Sequence, residues 1–482
     1  MRTLITLLSL FSILTATTDV EAQAVRQTKV PWDDKFRQLD EIWPTANSYR
    51  TASGAPGHDY WQQRADYIIK VALDEKDREL TGAATITYTN NSPDTLRYVW
   101  LNMDQNRFAA DSKYVAQRRS DGDNKESYGT IRGAYGHQDG DFGFKVKSIV
   151  GSAGQELNYT VVDTLMRVDL PVPLAGGGQT SFTVAWSHKI IEGEIYFGRG
   201  GYEHFDDEDN DIFQIAQWYP RLAVYSDNEG WHQQSFMGNS EFTLQFGDFD
   251  VEITVPDDHI VTATGVLQNP DTVLTSAQRD RLKQAETAKT PVMIVNQQEA
   301  IRNEADKAKR SKTWHFKAEN VRDFAWASSR KFQWDAQGYK TRDNRTVMAM
   351  SFYPKEASPL WDLYSTAALI HSMDVFGEKI FPYPYPVMIS VNGQVGGMEY
   401  PMLAFNGPRP VKDKKTEEIT YSRATKNALI AVVIHEAGHN WFPMIVNSDE
   451  RHWTWMDEGL NTYLQFLAEQ LWADEFPSRR GE

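Results

Sequence analysis

Two histidines one helical turn apart, with a glutamate beside the first, are the residues of this sequence best suited to chemistry. They are His435, Glu436 and His439, and a further glutamate, Glu458, follows them along the chain. At a spacing of four residues, both imidazoles lie on one face of a helix and can bind a single ion. The carboxylate between them projects towards the open coordination position of that ion, where a water molecule would lie. The pattern predicts a hydrolytic site with one Zn²⁺ ion.

In this interpretation His435, His439 and Glu458 bind the metal, and Glu436 is the catalytic general base. Three protein ligands leave one tetrahedral position open, as a catalytic zinc requires. Zinc lowers the pKa of water at that position to about 7, which gives a nucleophile at neutral pH. Glu436 accepts the proton of this water and delivers it to the leaving amine. The ligand set is complete without His452, which is predicted to be a surface or loop residue.

The alternative is a structural helix that contains the histidine pattern by chance. The preceding run, 428–434, is apolar and contains neither Gly nor Pro, which predicts a buried helix. Thr420 or Ser422 is a candidate N-cap, and Pro443 should end the helix. Two imidazoles and a carboxylate in such a core would be costly without a cation to neutralise them. The zinc interpretation is therefore preferred.

Glu458 also has an alternative role. Asp457 and Glu458 begin a predicted helix over 457–472, where acidic side chains interact favourably with the positive end of the helix dipole. The upstream histidines make metal ligation the preferred role of Glu458. Asn440, Asp457 and Asn461 are candidates for orienting the ligands through hydrogen bonds.

Composition limits the class of protein. The chain has 482 residues, of which 41% are hydrophobic and 12% aromatic, and this predicts an ordered globular protein of two or three domains. The net charge of −16 argues against nucleic acid as a partner, because nucleic-acid binding requires basic patches. The absence of cysteine excludes disulfides, thiol catalysis and cysteine-bound zinc.

The N-terminus has the pattern of a secretory signal peptide over residues 1–24. Arg2 precedes an uncharged apolar run from Leu4 to about Ala16, and cleavage is expected after Ala22 or Ala24. A membrane anchor is the alternative, but the run is too short for a hydrocarbon core of about 30 Å. No later stretch is long enough, so no transmembrane segment is predicted. The protein is expected to be exported, either to the periplasm or as a secreted protein.

An N-terminal extension, 25–59, is followed by alternating apolar residues that predict an antiparallel β domain over 60–338. In one predicted hairpin, Ile69, Val71 and Leu73 form the buried face of the first strand. The buried face of the second strand comprises Ala84, Ile86 and Tyr88. Further period-two strands are predicted over 242–246 and 249–255. Two polar stretches interrupt the domain: a long insertion over 104–141, and 275–312, which is expected to be surface helix.

Beyond a boundary near 338–344, the pattern becomes mixed α/β. A helix is predicted from Pro359 to about Gly377, and a short strand over 387–391. This second domain, 339–482, contains the histidine pattern.

The stretch Gly396-Gly397-Met398-Glu399-Tyr400-Pro401 resembles the Gly-x-Met-Glu-Asn signature of the aminopeptidase N family. The segments HEAGHNWFPMIVN and WTWMDEGLNTY are similar to its paired zinc-helix segments, and their order agrees. Leukotriene hydrolase belongs to the same family of gluzincin zinc metallopeptidases. The resemblance runs from about residue 60 to the end. It implies an α+β multidomain fold, with a saddle-shaped antiparallel β domain packed on a thermolysin-like mixed α/β catalytic domain.

The resemblance also implies an activity, the removal of single residues from peptides with a free N-terminal amine. Glu399 is then the anchor of the substrate's protonated α-amine. Gly396, Gly397 and Met398 belong to the segment along which the peptide backbone adds as a strand. An ordinary glycine turn is the alternative for Gly396 and Gly397.

Two details concern the substrate contacts. The family contributes an amine-binding Gln or Glu from the β domain, and Gln217 is preferred here over Gln214. Tyr400 stands where the family usually has Asn, so the local contact to substrate is expected to differ.

The family's tyrosine that hydrogen-bonds the tetrahedral intermediate is expected beyond Glu482, because Tyr463 lies within the ligand helix. The catalytic domain is therefore expected to be incomplete at its C-terminal lobe. Alternatives to the aminopeptidase are a zinc endopeptidase, a leukotriene-type hydrolase and a catalytically inactive peptide-binding fragment. The sequence predicts neither the preferred N-terminal residue nor the oligomeric state.

Overall fold

The computed structural model describes residues 46–117, 127–128, 140–413, 416 and 418–478. The chain divides into two compact units, Met1–Tyr60 and Trp61–Glu482. In the first unit, Arg50 forms a β-bridge with Pro56 and lies over the ring of Tyr60. The predicted signal peptide, residues 1–24, lies outside the described residues, as do most of the predicted extension and much of the polar insertion.

The strands of the second unit share an extended backbone and are numbered in chain order. The first fifteen are β1 (Arg64–Asp74), β2 (Glu79–Thr89), β3 (Leu96–Asn102), β4 (Lys145–Gly151), β5 (Tyr159–Val162), β6 (Leu165–Leu174), β7 (Gln179–Lys189), β8 (Gly201–Phe205), β9 (Asn210–Ile215), β10 (Arg221–Leu222), β11 (Tyr225–Ser226), β12 (Gly230–Trp231), β13 (Gly247–Pro256), β14 (Ile260–Ala263) and β15 (Val266–Leu267). The others are β16 (Val292–Val295), β17 (Ser311–Val321), β18 (Trp326–Ser329), β19 (Gln333–Lys340), β20 (Thr346–Tyr353), β21 (Val387–Asn392), β22 (Gly397–Tyr400), β23 (Leu403–Asn406), β24 (Val411–Lys412) and β25 (Ile419–Thr420).

The three longest α-helices lie towards the C-terminal end of this unit. The α-helices are α1 (Lys113–Gln117), α2 (Gly193–Tyr196), α3 (Pro270–Val273), α4 (Ser276–Ala285), α5 (Gln297–Ala305), α6 (Leu360–Lys379), α7 (Arg423–Gly438) and α8 (Trp455–Trp472). A π-turn, Asn440–Ile445, joins α7 to the loop before α8.

A seven-stranded sheet, ordered β15-β17-β13-β1-β2-β7-β4, contains the predicted hairpin. Ile69 pairs with Ala84 in an antiparallel register, and every second side chain of both strands is buried. The predicted face is thus the one that packs in the core. β13 pairs with β1 in parallel, which the alternating pattern over 249–255 does not reveal. The residues 242–246, predicted as a strand, contribute only isolated bridges.

A six-stranded sheet, ordered β16-β19-β20-β21-β23-β22, supports the helices of the C-terminal part. The proposed boundary near 338–344 lies at the turn between β19 and β20, and both strands belong to this sheet. The polar residues at this point in the sequence form the turn of a β-hairpin within one sheet. β16 lies within the predicted polar stretch 275–312, between α4 and α5, so that stretch is helix at both ends and strand between them.

The helix that carries the first histidine, α7, begins and ends where the sequence has a capping residue and a glycine. The side chain of Ser422 accepts a hydrogen bond from the backbone N–H of Thr425, at 3.0 Å, and caps α7. The helix ends at Gly438, and the following turn contains Pro443. The predicted helix from Pro359 is observed as α6, and the predicted helix over 457–472 is observed as α8.

A buried ion-pair network joins the sheets of the β part. The guanidinium of Arg221 lies 2.7 Å from Oδ2 of Asp104 and 2.5 Å from Oδ2 of Asp323, and all three side chains are buried. The hydroxyl of Tyr219 also donates to Asp323, at 2.7 Å. Buried carboxylates of this kind depend on their cation, because water cannot solvate them.

Replacing Arg221 with Met should lower the free energy of unfolding by about 3–5 kcal/mol, because Asp323 would remain buried without a cation and Asp104 would keep only the longer contact, at 3.7 Å, with Arg451. Urea unfolding followed by circular dichroism measures the change. The matched control is Arg167→Met, since Arg167 pairs with Asp169 at the surface, and this variant should differ from the parent by at most about 1 kcal/mol. Equal destabilisation by the two variants would contradict the assigned role of Arg221.

Candidate metal centre and its cavity

The end of α7 brings the two predicted imidazoles together. Nε2 of His435 lies 3.1 Å from Nε2 of His439, and both side chains are buried. The spacing of four residues places both rings on one side of the helix end, as the sequence predicts.

Hydrogen bonds at the opposite ring nitrogens fix both imidazoles. Nδ1 of His435 lies 2.8 Å from Oε1 of Gln465. Nδ1 of His439 donates to the carbonyl oxygen of Phe442, at 2.8 Å, and also lies 2.8 Å from Oδ1 of Asp457 without hydrogen-bond geometry. These oxygens only accept, so each Nδ1 carries the proton and each Nε2 presents a lone pair. Two lone pairs that face each other at this distance repel each other unless a metal ion or a proton lies between them.

Glu458 completes a set of three convergent donors. Its Oε2 lies 3.3 Å from Nε2 of His435 and 3.8 Å from Nε2 of His439. The three ligand atoms all lie within 4.8 Å of one another. Ligands of a tetrahedral zinc at about 2.0–2.2 Å would be separated by roughly 3.3–3.6 Å. The donor types and spacings therefore fit one zinc ion, and the half-exposed Glu458 leaves its side of the ion open to solvent.

The spacing of the ligands depends on close contact between α7 and α8. A Cβ atom at Gly438 would lie 2.1 Å from Oδ1 of Asn461 and 2.5 Å from the ring of Phe376. The amide of Asn461 donates to the carbonyl oxygen of His435, at 2.8 Å. Glycine at 438 is therefore required for α8 to approach closely enough to place Glu458.

Glu436 lies beside the proposed metal position in a buried environment. Its Oε2 accepts no hydrogen bond from the described residues. Burial raises the pKa of Glu436 to about 7. A Cβ atom at Gly397 would lie 2.5 Å from Oε1 of Glu436, so glycine on the adjacent strand makes room for this carboxyl group. Such a group is suited to accepting and returning a proton near neutral pH.

Glu399 lies on β22, next to the same carboxyl group. Its side chain is buried, with Oε1 3.9 Å from Nδ1 of His439. Burial, reinforced by the charges of Asp457 and Glu436, holds the pKa of Glu399 well above its usual range. The buried hydroxyl of Tyr400 donates to the backbone carbonyl oxygen of Arg199, at 3.2 Å. The tyrosine that replaces the expected Asn thus attaches the strand of Glu399 to the β part.

These groups line a cavity of about 220 Å³. It contains six carboxyl groups, those of Glu241, Glu399, Glu436, Glu450, Asp457 and Glu458. Arg199 is the one Lys or Arg among the described lining residues, and its Nε lies 2.8 Å from Oε1 of Glu241. Burial raises the pKa of Glu450 to about 9 and also raises the pKa of Glu241. This excess of carboxyl groups favours the binding of cations in the cavity.

The residues predicted to contact the substrate lie in different places. Gly397, Met398 and Glu399 line the cavity, whereas a Cβ atom at Gly396 would meet open space. Gln214 and Gln217 line a second, smaller cavity, which Arg199 also borders.

Both glutamines lie away from the cavity that contains the proposed metal ligands. Oε1 of Gln214 accepts from the backbone N–H of Val395, at 3.1 Å. Nε2 of Gln217 is buried and donates to no described residue. Neither glutamine is among the described residues that line the cavity with the metal ligands.

Two of the three candidates for orienting the ligands do contact them, namely Asp457 and Asn461. Asn440 instead accepts from the backbone N–H of Met402, at 2.8 Å, and supports the loop after β22. The sequence reasoning missed Gln465. The detectable pattern was the buried polar row on α8, which places Asp457, Asn461 and Gln465 four residues apart.

Comparisons with known proteins come from solved structures. No protein-family profile matches the chain, and no curated protein matches its sequence. The M1 zinc metallopeptidase from Deinococcus radiodurans is similar with a TM-score of 0.50 and 14% identity, over 87% of this chain and 74% of that one. A glutamate-to-alanine mutant of an M1 zinc metallopeptidase from the same organism has a TM-score of 0.50 and 15% identity, with the same coverage. A two-domain M1 zinc metallopeptidase mutant bound to L-arginine has a TM-score of 0.50 and 14% identity, over 86% of this chain and 72% of that one.

At such identities the likeness establishes a shared fold and nothing finer. The predicted fold class, an antiparallel β part followed by a mixed α/β part, is confirmed. Within the described parts of the chain, no helix combines the length and the apolar character needed to cross a bilayer.

Replacing Gln465 with Ala should weaken zinc binding about 10–100-fold, because the ring of His435 loses the acceptor that orients it. Competition with a chelator of known affinity measures the dissociation constant. Gln470→Ala is the matched control, since Gln470 lies on the exposed side of the same helix. Equal zinc affinities for the two variants would show that Gln465 does not support the ligand.

Proposed function

We propose that this protein is a zinc-dependent aminopeptidase of the aminopeptidase N (M1) family, which hydrolyses N-terminal residues from peptides. The observation that carries the proposal is the convergence of His435, His439 and Glu458 beside the buried Glu436. Zinc held by these ligands would supply the Lewis acidity that makes water a nucleophile at neutral pH. The fold shared with M1 zinc metallopeptidases supports the same assignment.

Glu436 is the general base in this proposal. Its carboxyl group lies in the cavity of the ligands, with one oxygen that has no hydrogen bond from a described residue. That oxygen is available to take a proton from the attacking water and to return it to the leaving amine. A pKa raised to about 7 suits both steps, because a group that transfers protons works best near the working pH.

Glu399 is the anchor for the protonated α-amine of the substrate. The excess of carboxyl groups in the cavity supports a cationic substrate group there, since an ammonium would neutralise buried negative charge. This feature favours an exopeptidase over an endopeptidase, whose substrate has no amine near the cleaved bond. A similar structure was solved with L-arginine bound, which supports a ligand of amino-acid size. Gly397 and Met398 would contact the substrate backbone, and the role of Gln217 stays a prediction.

We infer export of the protein from the signal peptide predicted over residues 1–24. The proposed partners are peptides with a free N-terminal amine.

Replacing Glu436 with Gln should lower kcat at least about 100-fold while zinc content is retained, because the variant loses the base and keeps the ligands. Peptide turnover and metal analysis on the same sample give both quantities. Glu378→Gln, on the exposed surface of α6, is the control and should leave both unchanged. Near-normal turnover by Glu436→Gln would rule out the proposed chemistry.

A peptide with a free N-terminus should bind and react at least about 10-fold better than its N-acetylated twin, because acetylation removes the charge that Glu399 pairs with. Glu399→Gln should abolish most of this difference. Calorimetric binding and product analysis are measured for both peptides. Equal cleavage of both would indicate an endopeptidase, and binding without any turnover would indicate a peptide-binding protein.

A further inference from the structure

We propose that the cavity prefers peptides whose N-terminal residue has a cationic side chain, arginine or lysine, and that Glu241 and Glu450 recognise this second charge of the substrate. The inference rests on the proposed aminopeptidase function and names the substrate class of that same site. Recognition of the α-amine alone would leave the side chain of the first residue unselected, whereas these two carboxyl groups select it by its charge.

The two carboxyl groups have no part in the proposed hydrolysis. The other four of the cavity are accounted for as metal ligand, general base, amine anchor and neighbour of a ligand ring, and they belong to Glu458, Glu436, Glu399 and Asp457. Glu241 and Glu450 are 2% and 3% exposed, and both line the cavity. The backbone N–H of Phe242 donates to Oε2 of Glu450, at 2.9 Å, so their two segments lie side by side. Together they form an acidic wall of the cavity.

The described residues supply too few cations for this wall. Nε of Arg199 lies 2.8 Å from Oε1 of Glu241, while Oε2 of Glu241 is buried and accepts no hydrogen bond from a described residue. Arg451 follows Glu450 in the chain, but its Nη2 lies 3.7 Å from Asp104 and its Nε donates to a backbone carbonyl oxygen. One cation thus faces two buried carboxyl groups, which leaves a place for a second.

The protonation of Glu450 reflects the same shortage. Burial, reinforced by the charge of Glu241, raises the pKa of Glu450 to about 9. At neutral pH this carboxyl group therefore ionises only beside a further cation. A guanidinium or ammonium group that entered the cavity would be such a cation, and it would convert a neutral acid into a charged partner.

The acidic wall lies close to the proposed position of the α-amine. Besides burial and the charges of Asp457 and Glu436, the charges of Glu241 and Glu450 raise the pKa of Glu399. The amine, the carbonyl carbon and the side chain of an amino acid are all attached to one carbon atom. With the amine at Glu399 and the carbonyl group towards the metal ligands, the side chain is left to extend along the rest of the cavity. The long stems of arginine and lysine would carry their cation to the wall.

Side chains of different charge should bind with different strength. The planar guanidinium of arginine donates to two carboxylates at once, and such charge-assisted bonds are strong where water is excluded. A neutral side chain would leave Glu450 protonated and without this partner. An acidic side chain would add a third charge of the same sign beside Glu241 and Glu450, which disfavours it. The expected order is therefore cationic, then neutral, then acidic.

Calorimetric titration of the zinc-loaded protein with L-arginine and with L-citrulline tests the proposal. The two ligands share the α-amine and nearly the same shape, but the side chain of citrulline has no charge. L-Arginine should bind at least about 10-fold more tightly to the parent protein, because it gains the charge-assisted bonds to the wall. Glu450→Gln should remove most of this difference, since glutamine can still accept from Phe242 but has no charge. Glu252→Gln is the matched control, because Glu252 pairs with Lys70 at the surface, and it should keep the preference of the parent.

The parent protein alone is sufficient to overturn the proposal. Equal affinities for L-arginine and L-citrulline, or no detectable binding of either, would do so without any variant having to fold. Full retention of the preference by a folded Glu450→Gln variant would also overturn it. Failure of the proposed peptidase function gives a different result, in which no peptide is hydrolysed while L-arginine still binds more tightly than L-citrulline.

Discussion

The proposed metal centre depends on the close packing of α7 against α8. The two helices meet at Gly438, where the side chain of Asn461 occupies the space that a Cβ atom would need. At this separation Gln465 reaches the ring of His435, and Oε2 of Glu458 lies 3.3 Å from Nε2 of His435 and 3.8 Å from Nε2 of His439. A larger residue at 438 would move the helices apart, and the ligands would lose their common centre. The chemistry is therefore set by helix packing as much as by ligand identity.

The burial of several carboxyl groups in one cavity is the second constraint, because these groups cannot all ionise unless cations are bound. Burial raises the pKa values of Glu241, Glu399, Glu436 and Glu450, so ionisation of these groups is unfavourable without a neighbouring cation. Arg199 compensates one of them directly. A zinc ion and a substrate ammonium would compensate others, so ligands that neutralise the cavity would also stabilise the fold. The preference for cations thus follows from where the carboxyl groups are buried.

The sequence predicts what local spacing determines and misses what distant packing determines. His435, Glu436 and His439 lie on one helix, so their spacing alone fixes their mutual geometry. The hairpin of β1 and β2 was equally predictable, since alternation defines its buried face. Glu241 and Arg199 come from the β part and reach the cavity only through tertiary packing. The parallel pairing of β1 with β13, and the inclusion of β19 in the six-stranded sheet, depend on strand partners that a period of two does not encode.

The β part also determines where Glu458, the proposed third ligand, lies. The backbone N–H of Phe242 donates to Oε2 of Glu450, at 2.9 Å, and Arg451 donates to the carbonyl oxygen of Ser240, at 3.2 Å. These bonds hold the loop immediately before α8, and Glu458 lies in the first turn of that helix. Any displacement of 240–242 would therefore be transmitted through the loop to the ligand. The proposed metal centre is thus built jointly by the β part and the helices, and the helix pair alone would lack both this support and the carboxyl groups that the β part adds to the cavity lining.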